Sequence, residues 1–147
     1  MNICIFGDSI AYGAFDQDLG GWVNRLRLYL ESRNFDGEVY NLGIFGDNSS
    51  GLLERLDKEL GRRIPATVVI AIGINDSQYL SDQKINRIDL VKFESNIIKT
   101  IDKVKNAADE LLFVGLTPVD EDKTNPIPWD GYKVKCYKNE HIKKYDQ

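Results

Sequence analysis

The stretch Ile3-Cys4-Ile5-Phe6-Gly7-Asp8-Ser9-Ile10 decides the fold. An apolar run with β-branched members and no polar interruption predicts a strand buried on both faces, the form taken by the first strand of a parallel α/β sheet. The run ends abruptly in Gly-Asp-Ser. Ser9 therefore falls at the strand's carboxyl end, where open α/β sheets bind their ligands. Gly7 is expected to supply backbone freedom for the turn, and Asp8 to hydrogen-bond back to the turn's own amides.

The segments that follow repeat this alternation of strand, loop and helix. Ala11 to Gly20 is rich in Gly, Asp and Gln and predicts a loop. From Trp22 to Arg33, Trp22, Val23, Leu26, Tyr29 and Leu30 recur at helical spacing, and Val39 to Gly43 predicts a second strand. A glycine and polar loop, Ile44 to Ser50, leads to a helix carrying Leu52, Leu53, Leu56 and Leu60, with Ser49 or Ser50 as cap and Gly61 and Pro65 as stops. Thr67 to Gly73 is apolar almost throughout and predicts a central strand, followed by a polar loop from Asn75 to about Ile88. A long helix is expected over Asp89 to Asp109 and a fourth strand over Leu111 to Leu116. An irregular loop with three prolines then runs to Gly131, and a last amphipathic helix from about Tyr132 to Tyr145. Four alternations of strand and helix predict an α/β fold: a three-layer, doubly wound parallel sheet in one domain over 1–147.

Composition bounds the function. A chain of 147 residues has the length of one domain, and 42% hydrophobic with 29% charged residues is the balance of an ordinary globular protein. A net charge of -4 argues against a nucleic-acid partner, and the lysines at 133, 135, 138, 143 and 144 are expected to form the wet face of the last helix. No run approaches a membrane span. Cys4 and Cys136 sit in no metal or redox spacing and are expected to be reduced thiols. With the first strand beginning almost at Met1 and leaving no room for a leader, the expected location is the cytoplasm.

In a parallel sheet the loops after the first three strands converge on one rim. Those loops hold Gly7-Asp8-Ser9, Gly43-Ile44-Phe45-Gly46-Asp47 and Gly73-Ile74-Asn75-Asp76. Such a rim suits acyl transfer, which needs a nucleophile and donors aimed at a developing oxyanion. Ser9 is the candidate nucleophile; the backbone N–H of Gly46 and the side-chain amide of Asn75 are candidate oxyanion donors. Tyr12, Phe15, Phe45 and Tyr79 lie in the rim loops as candidate walls of an acyl or aryl pocket. Two other chemistries compete. Asp8, Asp47 and Asp76 at three strand ends would suit Mg²⁺ in phosphoryl transfer. A nucleotide site is disfavoured, because Gly-x-Gly-x-x-Gly and P-loop patterns are missing.

Gly7-Asp8-Ser9-Ile10, Gly46 in the second loop and Gly73-Ile74-Asn75-Asp76 together resemble the three blocks of the GDSL-type esterases and lipases, the SGNH hydrolases. The resemblance covers the chain from Met1 to about Asp120. It implies a flavodoxin-like fold and hydrolysis of a carboxylic ester or thioester through an acyl-enzyme on Ser9. The oxyanion would be held by the Ser9 and Gly46 N–H groups and Asn75, with Asp8 shaping the first turn and Asp76 orienting the third loop. No cofactor or metal is implied. The family's Asp-x-x-His block has no counterpart: His141 is the only histidine, Lys138 stands three positions before it, and a packing role is expected for it. On this resemblance the chain is a shortened form that lacks the final edge strand and the base, and its chemistry is impaired. The alternative is a hydrolase-fold remnant that binds a ligand or partner without turnover. The uncovered sheet edge favours self-association.

Overall fold

A computed structural model describes residues 1–128 and 130–147. Trp129, inside the predicted proline-rich loop, lies outside the described residues.

Four parallel strands, β1 (Ile3–Gly7), β2 (Val39–Gly43), β3 (Thr67–Ala71) and the later β6 (Glu110–Phe113), form one sheet in the order β2-β1-β3-β6. β1 and β3 are both central, so both must be apolar on either face, as their sequences are. Their side chains alternate between two cores. Cys4, Phe6, Val68 and Ile70 meet Leu52, Leu56 and Leu60 of α3 (Ser49–Arg63) and Val104 of α4 (Leu90–Lys105). Ile5 and Val69 face the other way, against Ala11 of α1 (Ser9–Tyr12) and Val23 of α2 (Gly21–Glu31). Helices thus cover both faces, as the alternation of elements predicted. In this register Gly7 stands level with Gly43 on one side and Ala71 on the other, so the three rim loops leave the sheet at one height.

Several local expectations are corrected. The segment after Ser9 is not all loop: its first turn is α1, capped by Asp8, whose Oδ1 accepts the Ile10 N–H at 2.8 Å. Gly7 has no left-handed φ. It is needed for space instead, since a Cβ there would stand 2.5 Å from the Ala11 Cβ and 2.7 Å from the Ala71 carbonyl oxygen. α3 is capped by Asn48 rather than Ser49 or Ser50; its Oδ1 accepts from Ser50 N and Gly51 N. Gly61 lies inside that helix, which ends where Ile64 turns to φ 47° just before Pro65.

The polar stretch after β3 contains a hairpin, β4 (Tyr79–Leu80) and β5 (Ile85–Asn86), and the predicted last helix is split. Its first part supplies β7 (Lys135–Cys136), and only Asn139–Tyr145 is helical, as α6. These three two-residue strands pair antiparallel in the order β5-β4-β7. Asp130 breaks the expected helix by taking the Val134 and Lys135 N–H groups onto one oxygen, at 2.9 and 2.8 Å. A further turn of helix, α5 (Glu121–Thr124), interrupts the proline-rich loop. Among the described residues no helix is long and apolar enough to cross a membrane.

Candidate active site

Ser9 is the first residue of α1, so its N–H has no acceptor within the helix. Its hydroxyl makes no hydrogen bond among the described residues, and it lines a cavity of about 440 Å³ together with Ile10, Phe15, Trp22, Asn75 and Tyr137. Phe15 meets Phe45 edge-on at 6.1 Å between centroids, which brings the second rim loop to the cavity's mouth. Of the remaining rim aromatics, Tyr12 is exposed, and Tyr79 packs elsewhere, on His141.

The second loop turns sharply at Gly46. Asp47 N donates to the Ile44 carbonyl at 3.1 Å, and Gly46, third residue of this turn, has φ 76°, the position that favours glycine in a type II turn. No atom lies within 4 Å of where a Cβ would stand. The Gly46 N–H has no acceptor among the described residues.

Asn75 is buried, and its amide is held at both ends. Nδ2 donates to the Asp47 carbonyl at 2.8 Å, and Oδ1 accepts from the Tyr137 hydroxyl at 2.7 Å. The structure therefore brings Ser9 and Asn75 into one cavity and ties Asn75 to the residue following Gly46. Arg55 draws the first two loops together. Its Nε and Nη2 donate to Asp47 Oδ2 at 3.0 and 2.8 Å, and Nη2 reaches the Gly7 carbonyl at 3.4 Å.

Asp8 and Asp76 stand behind these groups. Burial pushes the Asp8 carboxyl up to about 6, the nearby Asp47 and Asp76 charges push the same way, and the Ile10 N–H opposes them. Asp8 faces a second, smaller cavity of about 150 Å³, walled by Ile10, Trp22, Ala71, Ile74 and Leu116. Asp76 is fully buried, and both its oxygens accept the Ser49 N–H, at 3.0 and 3.1 Å. It satisfies a free amide of α3's first turn as well as belonging to the third loop. Burial raises its pKa, and the Ser49 hydrogen bonds offset part of that rise. Each of the three strand-end carboxylates thus has its own donors: Ile10 N on Asp8, Arg55 on Asp47, Ser49 N on Asp76. Among the described residues no three His, Cys, Asp or Glu side chains gather in a way that suits a cation.

His141 is not on the cavity wall. Its ring stacks on Tyr79 at 4.8 Å, its Nδ1 shares a hydrogen bond with the Asn86 side chain, and its Nε2 lies 3.3 Å from Glu140. Burial lowers its pKa, with Lys144 and Lys138 acting in the same direction and Glu140 opposing. Two residues of the site escaped sequence reasoning, Tyr137 and Gln78. Tyr137 was expected inside the last helix and lies outside it, just past β7. Its only signal in the sequence was an aromatic amid lysines.

Known proteins give the same outline. Residues 5–147 match the family model described as GDSL-like Lipase/Acylhydrolase family. Over 116 residues the chain is 29% identical to Esterase TesA of Pseudomonas aeruginosa, covering 79% of this chain and 54% of TesA. A crystal structure of TesA superposes with a TM-score of 0.72 at 25% identity, covering 99% of this chain and 68% of that one. The lipase/acylhydrolase from Enterococcus faecalis superposes at 0.74 and 23% identity, covering 98% and 66%. The chain therefore spans about half the length of the curated relative it matches and about two thirds of these solved structures. With a family match over nearly its whole length and a doubly wound sheet shared with those structures, the chain belongs to the GDSL-like lipase/acylhydrolase family.

Proposed function

We propose that this chain carries the nucleophile and oxyanion site of a serine hydrolase acting on carboxylic esters or thioesters. Ser9 Oγ attacks the substrate carbonyl. The oxygen, now negative, accepts from the Ser9 and Gly46 N–H groups and from the second N–H of the Asn75 amide, whose first is held by Asp47. The carbonyl reforms as the alcohol or thiol departs with the Ser9 proton, leaving an acyl group on Ser9 that water then removes. Asp8 and Asp76 position the turn and the third loop and take no proton in this scheme. The observation that carries the reading is a serine whose hydroxyl has no hydrogen-bond partner among the described residues, in the same cavity as an amide whose orientation is fixed.

On this reading the partners are a small ester or thioester and, through the open β6 edge, a second copy of the chain. No cofactor takes part. Cys4 and Cys136 are free and buried, which suits the reducing cytoplasm.

A second reading, a hydrolase fold that binds a ligand or partner without turnover, is favoured by His141. The histidine of this sequence is held by Asn86 and Tyr79 outside the cavity, so among the described residues no imidazole lines the Ser9 cavity. A fluorophosphonate probe separates the two. Slow labelling at a single site, located by mass spectrometry at Ser9 and lost in Ser9→Ala, is the expected result. An unlabelled wild-type chain selects the binding reading, and labelling that persists in Ser9→Ala removes Ser9 as nucleophile.

A further inference from the structure

The Asn75 amide is the middle of a partly buried polar chain. The Asp47 carbonyl can only accept, so the end of the Asn75 side chain that faces it must be Nδ2, which leaves Oδ1 toward Tyr137. Oδ1 can only accept as well, so the Tyr137 hydroxyl donates to it at 2.7 Å and is free to accept from Gln78 Nε2 at 2.9 Å. Every donor in this chain has one direction open to it. The backbone of Tyr137 is clamped independently: its N–H donates to the Thr124 carbonyl at 2.9 Å, and its carbonyl accepts from Thr124 Oγ1 at 3.0 Å. Both Tyr137 and Asn75 line the Ser9 cavity.

We propose that Tyr137 is a positioning residue for the oxyanion site: its hydroxyl, backed by Gln78, holds the Asn75 carbonyl so that the second amide N–H stays turned to the Ser9 cavity. The proposal rests on the reading of Asn75 as an oxyanion donor. A hydrogen bond accepted at an amide oxygen polarises the amide and strengthens its N–H groups as donors, and a donor already in place needs no reorganisation as charge develops. Without the hydroxyl, Asn75 keeps only its bond to Asp47 and can rotate about it. Tyr137 does not touch the reacting atoms and acts only through Asn75.

The test is the rate at which a fluorophosphonate labels Ser9 in the full chain, for wild type, Tyr137→Phe, Asn75→Ala and the double variant. Tyr137→Phe is expected to slow the bond-forming step about tenfold with little change in the probe's initial binding. In the Asn75→Ala background, itself about a hundredfold slow or more, it is expected to change nothing further. Gln78→Met, which keeps the hydroxyl and removes its donor, is expected to show a smaller fall that also vanishes with Asn75→Ala. An equal fall in both backgrounds, or none in either, overturns the role of Tyr137 and leaves Ser9 standing. A wild-type chain that is not labelled at Ser9 overturns the oxyanion reading and this proposal with it. Melting curves identify a variant that has failed to fold, in which case Gln78→Met decides.

Discussion

Asp8 sits at the end of the first strand with one oxygen on the Ile10 N–H and is otherwise enclosed beside two more carboxylates. Enclosure raises its folded pKa to about 6 from 3.8, so the folded protein binds this proton more tightly than the unfolded chain does. The stability this gives is complete below pH 4 and is lost as pH rises through 6. Asp8→Asn is neutral at every pH and still accepts from Ile10. It is expected to match wild type near pH 4 and to exceed it by about 2 kcal/mol at pH 8. Urea denaturation at the two pH values checks this, and equal effects at both would remove burial as the cause. Ser9, one residue on, was legible as a candidate nucleophile because strand-end position and residue type are local properties. The side-chain partner of Asp8 was legible too, since Ile10 lies in the same turn; those of Asn75 and Asp76 were not, since Asp47, Tyr137 and Ser49 lie elsewhere in the chain.

Among the elements, β1 and α1 meet without a gap. A methyl group at Gly7 would overlap Ala11 of α1 and the Ala71 carbonyl of β3 at once, and neither is the flexible end of a side chain. Gly7→Ala is expected to destabilise the fold by about 2 kcal/mol, in the range of core overpacking. It should also slow labelling of Ser9, because α1 must lift from the sheet. Chemical denaturation and probe labelling measure the two effects, and an unchanged midpoint would show that α1 yields freely. The long elements α3 and α4 were legible from their apolar stripes. The β5-β4-β7 sheet was not, because strands of two residues are too short for any period to show. A run of Lys and Tyr with helical spacing was instead broken by Asp130 capturing two amides.

At the scale of the whole molecule, the sheet ends on one side in β6, whose Leu112 and Phe113 are 54% and 48% exposed and whose outer backbone edge has no strand beside it among the described residues. Such an edge is a template for pairing with another chain. Wild type is expected to show concentration-dependent self-association in sedimentation velocity, and Leu112→Lys, which places a charge at the edge, to remain monomeric. A wild type that stays monomeric at high concentration would refute pairing through β6.

The sequence by itself determined the parallel sheet, its covering helices and the three loops that bear Ser9, Gly46 and Asn75, because hydrophobic period and strand-end glycines are written within a few residues. Only the tertiary structure decided which partners those residues take. Asn75 meets Asp47 across 28 positions and Tyr137 across 62, and His141 is held away from the cavity by Asn86, 55 positions distant. Hydrogen bonds of that span depend on how layers pack and on which buried donors find acceptors, and no local pattern in the chain encodes that.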